Sequence, residues 1–119
     1  MDKVNLAEKF ARFTEHWSPK VVGEVDGYEI KLAKLQGDFV WHKHDDADEL
    51  FLVTRGRLVI RLRDGEVALD AGELFVVPRG VEHQPSAADE CEVVLFERKG
   101  LVNTGDVVEA RTVAQPERI

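Results

Sequence analysis

The 119-residue sequence has only one cysteine, Cys91, so no disulfide can close within the chain. Its neighbours Glu90, Glu92 and Val93 supply no positive charge to lower the thiol pKa, which argues against a reactive nucleophile there. No stretch approaches the roughly 18 consecutive apolar residues of a membrane span. Cations are few and dispersed: 16 Lys and Arg stand against 23 Asp and Glu, for a formal charge of −7. Nucleic-acid binding rests on clustered Lys and Arg that displace counterions from phosphate, so this balance argues against a polyanion partner. The nearest approach to a basic patch, Arg55, Arg57, Arg61 and Arg63, is interleaved with Leu and Val and is expected to be the wet face of a strand. Internal repeats and linkers are also missing, and the length suits one core, so residues 1–119 are expected to form a single domain.

The residues that are present pattern first as a helix. Leu6, Phe10, Phe13 and Trp17 share one helical stripe, with Glu8, Lys9, Arg12 and Glu15 elsewhere on the cylinder, predicting an amphipathic helix over about 5–17. Asn5 and Glu8 form a capping-box pattern at its start, and Ser18-Pro19 ends it, because proline disfavours helical geometry in the residue before it. Met1-Asp-Lys-Val leads into this amphipathic segment instead of a signal peptide, and the cytoplasm is the expected compartment.

After Pro19 the hydrophobic period changes to two, and turn signals recur through about residue 97, predicting an all-β barrel or sandwich. Strands are expected at 20–25, 28–35, 39–44, 49–54, 57–63, 66–69, 74–77 and 91–97. Asp26-Gly27 and Asp64-Gly65 mark hairpin turns. Leu50–Val53 and Leu74–Val77 are apolar on both faces and so need covering twice, by the barrel interior and by a second sheet, the helix or a partner subunit. Residues 101–119 have weak periodicity and read as an extended arm or a last short strand.

His42-Lys43-His44 is the most informative tripeptide. On a strand, residues i and i+2 project to one face, so both imidazoles can reach one point. Asp45-Asp46-Ala47-Asp48 is turn-like and lets the next strand return with Glu49 beside the histidines, while His83 follows the Pro78-Arg79-Gly80 turn and can return to the same cavity. Three imidazoles and a carboxylate suit one divalent transition metal ion, iron, manganese, nickel, zinc or cobalt. An isolated His-x-His pair is also compatible with two surface or hydrogen-bonded histidines. Strand parity turns Val40, Phe51 and Val53 inward and sends Phe39 and Trp41 to the opposite face, against the helix or a partner. Glu82, Asp45, Asp46 and Asp48 read as solvated turn residues, and no catalytic acid or base is assigned.

The stretch Gly37 to Gly56, with His42, His44 and Glu49, and the stretch Gly72 to His83, with Pro78 and Gly80, resemble the paired motifs of the cupin superfamily, G-x5-H-x-H-x(3,4)-E-x6-G and G-x5-P-x-G-x2-H-x3-N. Two positions depart from them: four residues, not five, separate Gly37 from His42, and Ala87 stands where asparagine is usual. The resemblance implies a double-stranded β-helix, or jelly-roll barrel, of six to eight strands, with its conserved core at about 28–97. It assigns the metal-ligand role to His42, His44, Glu49 and His83. Cupins include dioxygenases, isomerases, lyases and non-catalytic proteins, so two functions are expected to compete: a metalloenzyme acting on a small organic molecule, and a small-ligand sensing module. The doubly apolar strands and the Phe10, Phe13, Trp17 stripe predict a homodimer.

Overall fold

The computed structural model describes residues 2–119. Seven antiparallel strands follow one short helix: α1 (Leu6–Phe10), β1 (Lys20–Val25), β2 (Tyr28–Asp38), β3 (Glu49–Arg55), β4 (Arg57–Leu62), β5 (Gly65–Asp70), β6 (Leu74–Val77) and β7 (His83–Arg98). The main sheet runs β1-β2-β7-β3-β6, and β4 pairs with β5 and β7. The long β7 joins the two halves of the barrel. Its start pairs Gln84 with Arg61 and Pro85 with Ile60 on β4, and its end lies between β2 and β3. The chain is the all-β jelly-roll barrel that the two motifs imply. Among the described residues, no helix is long and apolar enough to cross a membrane.

Alternation along the strands explains where the core sits. Phe51 and Val53 on β3, Leu58 and Ile60 on β4, and Cys91, Val93 and Leu95 on β7 all point between the sheets and are buried. Each side chain of this size gains roughly 1.5–3 kcal/mol by leaving water. The intervening residues Leu50, Leu52, Val94 and Phe96 face outward and are half-buried.

Several expected elements differ. The helix ends at Phe10 instead of continuing to Trp17, although Asn5 does cap it, its side chain accepting from the Glu8 amide at 3.0 Å. Phe10 and Phe13 pack on Leu32 outside the main sheet, whereas Trp17 enters the barrel core, and one helical stripe cannot serve both places. The chain therefore extends after residue 12, His16 bridges Lys34, and Trp17 takes a left-handed φ of 59°.

The strand expected over 39–44 is also absent as a ladder, its one remnant being a bridge between His42 and His83. Other groups take up its backbone: the Phe39 amide donates to the Pro85 carbonyl, the Gln84 side chain donates to the Phe39 carbonyl, and Lys43 exchanges two hydrogen bonds with Asp106. Conversely, β7 begins eight residues earlier than the expected strand at 91, through a Pro85-Ser86-Ala87-Ala88 stretch that shows no alternation. Residues 101–119 are mainly irregular, with a parallel bridge of Arg118 to Val21.

Candidate metal centre

The four sequence-selected residues come together. His42 and His44 lie on the irregular segment after β2, Glu49 opens β3 and His83 opens β7. All four are buried, and one potential ligand atom from each lies within 4.8 Å of the others. The segment and β7 are locked by a reciprocal pair: the His42 amide donates to the His83 carbonyl at 3.1 Å and the His83 amide to the His42 carbonyl at 2.9 Å. Gly80 donates to the carbonyl of His44 at 2.7 Å, tying the turn before β7 to the third imidazole.

The rings are oriented for coordination. Nδ1 of His42 donates to the Val40 carbonyl and Nδ1 of His83 to the Val81 carbonyl, each at 2.9 Å, an assignment set by the acceptors. Each bond leaves Nε2 with a free lone pair directed inward. The Nε2 atoms of His44 and His83 stand 3.3 and 3.4 Å from Oε1 of Glu49. His44 Nδ1 and Nε2, Glu49 Oε1 and His83 Nε2 are buried without a hydrogen-bond partner. Such orphaned atoms are costly, and their convergence fits a cation that would satisfy several of them at once. Burial, followed by the neighbouring His83, pushes His42 down to about 4, so its imidazole is neutral near pH 7, as a metal ligand must be.

Sequence reasoning missed Glu97. It is 1% exposed and directly opposite Glu49 in the β3–β7 register. The Lys31 ammonium donates to its other side at 2.8 Å. Burial and then the Glu49 charge push the Glu97 carboxyl well above the usual range, whereas Glu49, against its burial, is held well below it by the groups that face it, Glu97, His44 and His83. A usable signal existed: Glu97 shares strand parity with Cys91, Val93 and Leu95, which puts a carboxyl on an otherwise apolar face.

Beside His42 and Glu49 lies a cavity of about 30 Å³, lined otherwise by apolar groups, among them Trp17, Leu35, Phe39, Phe51 and Leu95, and by Asn103. Phe39 thus faces inward, contrary to its strand parity, because residues 39–44 do not form a regular strand. Its ring stacks on Trp17 at 4.4 Å between centroids, under the guanidinium of Arg111. Trp41, by contrast, lies half-buried beneath Arg63. Val40, Phe51 and Val53 pack in the core as their parity predicts. A second, more open cleft of about 220 Å³ reaches His44 from Lys43, Asp45, Asp46 and the 100–106 loop. Asp46, Asp48 and Glu82 are exposed and paired with Arg98, Arg79 and Arg63, as solvated turn residues should be.

Comparison with known proteins agrees with this geometry. The model of the Cupin domain family matches residues 28–97, which hold all four residues. The chain belongs to that family. A cupin-2 domain protein from Shewanella frigidimarina has a solved structure similar to this cupin at 47% identity, with a TM-score of 0.80 over 81% of this chain and 94% of that one. The uncharacterized protein YdbB of Bacillus subtilis is 37% identical over 66% of this chain and 65% of its own length. The 3-hydroxyanthranilate 3,4-dioxygenase of Xanthomonas euvesicatoria is 33% identical over 68% of this chain. The chain spans 48% of that enzyme's length and 65% of YdbB's.

Proposed function

We propose that this cupin holds one divalent transition metal ion on His42, His44, Glu49 and His83 and is a metalloenzyme acting on a small organic molecule. The observation that carries the proposal is the convergence of four buried donors with orphaned atoms. The three-imidazole, one-carboxylate set suits iron, manganese, nickel, zinc or cobalt. A bound ion would supply Lewis-acid polarisation of a substrate oxygen, or activation of dioxygen, at positions the protein leaves open. The chain's own residues do the rest. The Val40 and Val81 carbonyls hold two imidazoles in one tautomer, and the cavity beside them is walled mainly by apolar groups.

Among dioxygenase, isomerase and lyase chemistries, the dioxygenase type is best supported. Apart from His42, Glu49 and Asn103 the cavity is lined by apolar side chains, which suits a weakly polar substrate held beside a metal ion. Similarity to a dioxygenase that acts on an aromatic substrate points the same way. Iron(II)-loaded protein in an oxygen electrode should consume dioxygen with one class among small catechols, diketones and thiols, and His44→Ala should abolish the uptake. No uptake from any class, together with tight binding of one of them, would replace this reading with a non-catalytic sensing module.

The proposal includes a homodimer formed through the outer face of the main sheet. Ile30, Phe96, Leu50 and Val76 are cross-strand neighbours in one row across β2, β7, β3 and β6, with Val94, Leu52 and Leu74 in the next. Leu74 is 56% exposed, Val76 42% and Tyr28 44%. Contiguous apolar surface of this kind is what an isologous interface covers.

A further inference from the structure

We propose that residues 103–113 form a lid over the barrel mouth, a self-bonded loop that lifts as one body to admit a small guest to the cavity beside His42 and Glu49. The inference rests on the reading above that a guest occupies this cavity, and it names the entrance. The loop is closed by its own side chains, as a compact Ω-loop is. Asn103 joins its two ends: Oδ1 accepts from the Val113 amide at 2.8 Å, and Nδ2 donates to the Arg111 carbonyl at 2.9 Å. Thr104 is its buried centre, with the hydroxyl 2.6 Å from the Val107 carbonyl and 2.8 Å from the Thr112 hydroxyl. The Glu109 amide donates to Thr112 Oγ1 at 2.9 Å, and the Val107 amide to the Thr104 carbonyl at 3.1 Å. The other residues of the loop are half-buried or exposed.

Its bonds to the barrel are sparser and lie at its rim. The Lys43 amide donates to Asp106 Oδ1 at 3.0 Å and the Asp106 amide to the Lys43 carbonyl at 3.1 Å. Asn103 also donates to the Trp17 carbonyl at 3.3 Å, and Arg111 to the Asp38 carbonyl at 2.9 Å. Both stems are anchored. The Leu101 amide donates to the Arg98 carbonyl, and past the loop the Val21 amide donates to the Glu117 carbonyl at 2.8 Å and the Ile119 amide to the Val21 carbonyl at 3.0 Å. A segment bonded more heavily to itself than to its seat, and fixed on either side, lifts at lower cost than it unravels. The spaces beside it fit that motion. Asn103 lines the cavity of about 30 Å³ with His42, while Gly105 and Asp106 line the cleft of about 220 Å³ with His44, so the stretch 103–106 stands between the two. Lifting it joins cavity to cleft and uncovers the Trp17–Phe39 stack, which Asn103 and Arg111 hold from above.

The test measures amide hydrogen exchange by NMR on the full-length protein, with and without added zinc(II), so its outcome does not depend on the metal reading. After correction for intrinsic rates, the Lys43 and Asp106 amides should exchange with one common opening equilibrium, at least about tenfold faster than the loop-internal amides of Val107, Glu109 and Val113, a gap worth one hydrogen bond. The Ile119 amide should stay as protected as the internal ones. A second measurement ties the motion to the cavity. With Trp41→Phe leaving Trp17 as the sole tryptophan, acrylamide, itself a small organic probe, should quench Trp17 severalfold more strongly when Asp106→Ala removes the acceptor of the Lys43 amide. Lys43 and Asp106 amides as protected as those of Val113 and Ile119 would overturn the lid. Loss of protection from 103 to 119 together would also overturn it, being the fraying of a tail. Trp17 quenching unchanged by Asp106→Ala would overturn it too, since the loop would not cover the cavity.

Discussion

His42 shows how a single residue carries the chemistry. Its Nδ1 is committed to the Val40 carbonyl, its Nε2 faces the cavity, and burial followed by His83 pushes it down to about 4. The sign follows: a histidine depressed below its ordinary 6.5 contributes stability that is complete above that value and is lost as pH falls towards 4. In metal-free protein the imidazole proton resonances of His42 should therefore show no protonation between pH 8 and 5.5, and a midpoint near 6.5 would contradict the site as described. That these four residues converge was legible because the spacing of the paired motifs selects them all, whereas parity was argued only for His42 and His44, where no ladder forms. Glu97 and Lys31 were not read, since their meaning depends on pairing across 66 residues of sequence. Phe39 was assigned to the wrong face because parity holds only where a ladder exists.

At the scale of elements, the C-terminal arm closes the barrel end. Asn103 donates to the carbonyls of Trp17 and Arg111, Arg111 covers Phe39 and donates to the Asp38 carbonyl, and Asp106 holds Lys43 between the two histidines. Gly105, at φ 58°, lies so close that an added Cβ would stand 2.2 Å from the Lys43 carbonyl oxygen. Gly105→Ala must therefore push the arm away from the His-x-His segment. Thermal or urea unfolding should show a loss of at least the ~1–2 kcal/mol that a left-handed non-glycine residue costs, and faster proteolysis within 101–119 should accompany it. Unchanged stability and proteolysis would show that the contact does not hold the arm. The sequence offered only weak periodicity here, because the arm makes its bonds through side chains and turns, which leave no repeating pattern. The same logic explains the shortened helix: the stripe from Leu6 to Trp17 has the right spacing, but its aromatic residues serve two separate clusters.

For the whole molecule, the barrel was legible in the motifs and in the alternation of its strands; on the outer apolar face Phe10 and Phe13 cover Leu32 and Val94, whereas Leu74 and Val76 stay exposed. A standard interface covers about 800 Å² per partner, and the proposed dimer would bury the two cross-strand rows in one. Sedimentation at micromolar concentration should give twice 13.4 kDa for the wild type and a monomer for Val76→Lys, with metal content unchanged; a wild-type mass of 13.4 kDa would refute the dimer. The cavity beside the ligands, about 30 Å³, has room for only one or two waters, so admission of an organic guest requires the Trp17–Phe39 stack or the arm to move. Elemental analysis of protein purified without added metal should find about one transition-metal ion per chain in the wild type and none in His42→Ala. Metal addition at a hundredfold excess over Kd should stabilise only the wild type, by about 2.7 kcal/mol. A wild type without stoichiometric metal, together with a His42→Ala variant whose metal uptake and thermal response match it, would contradict the account.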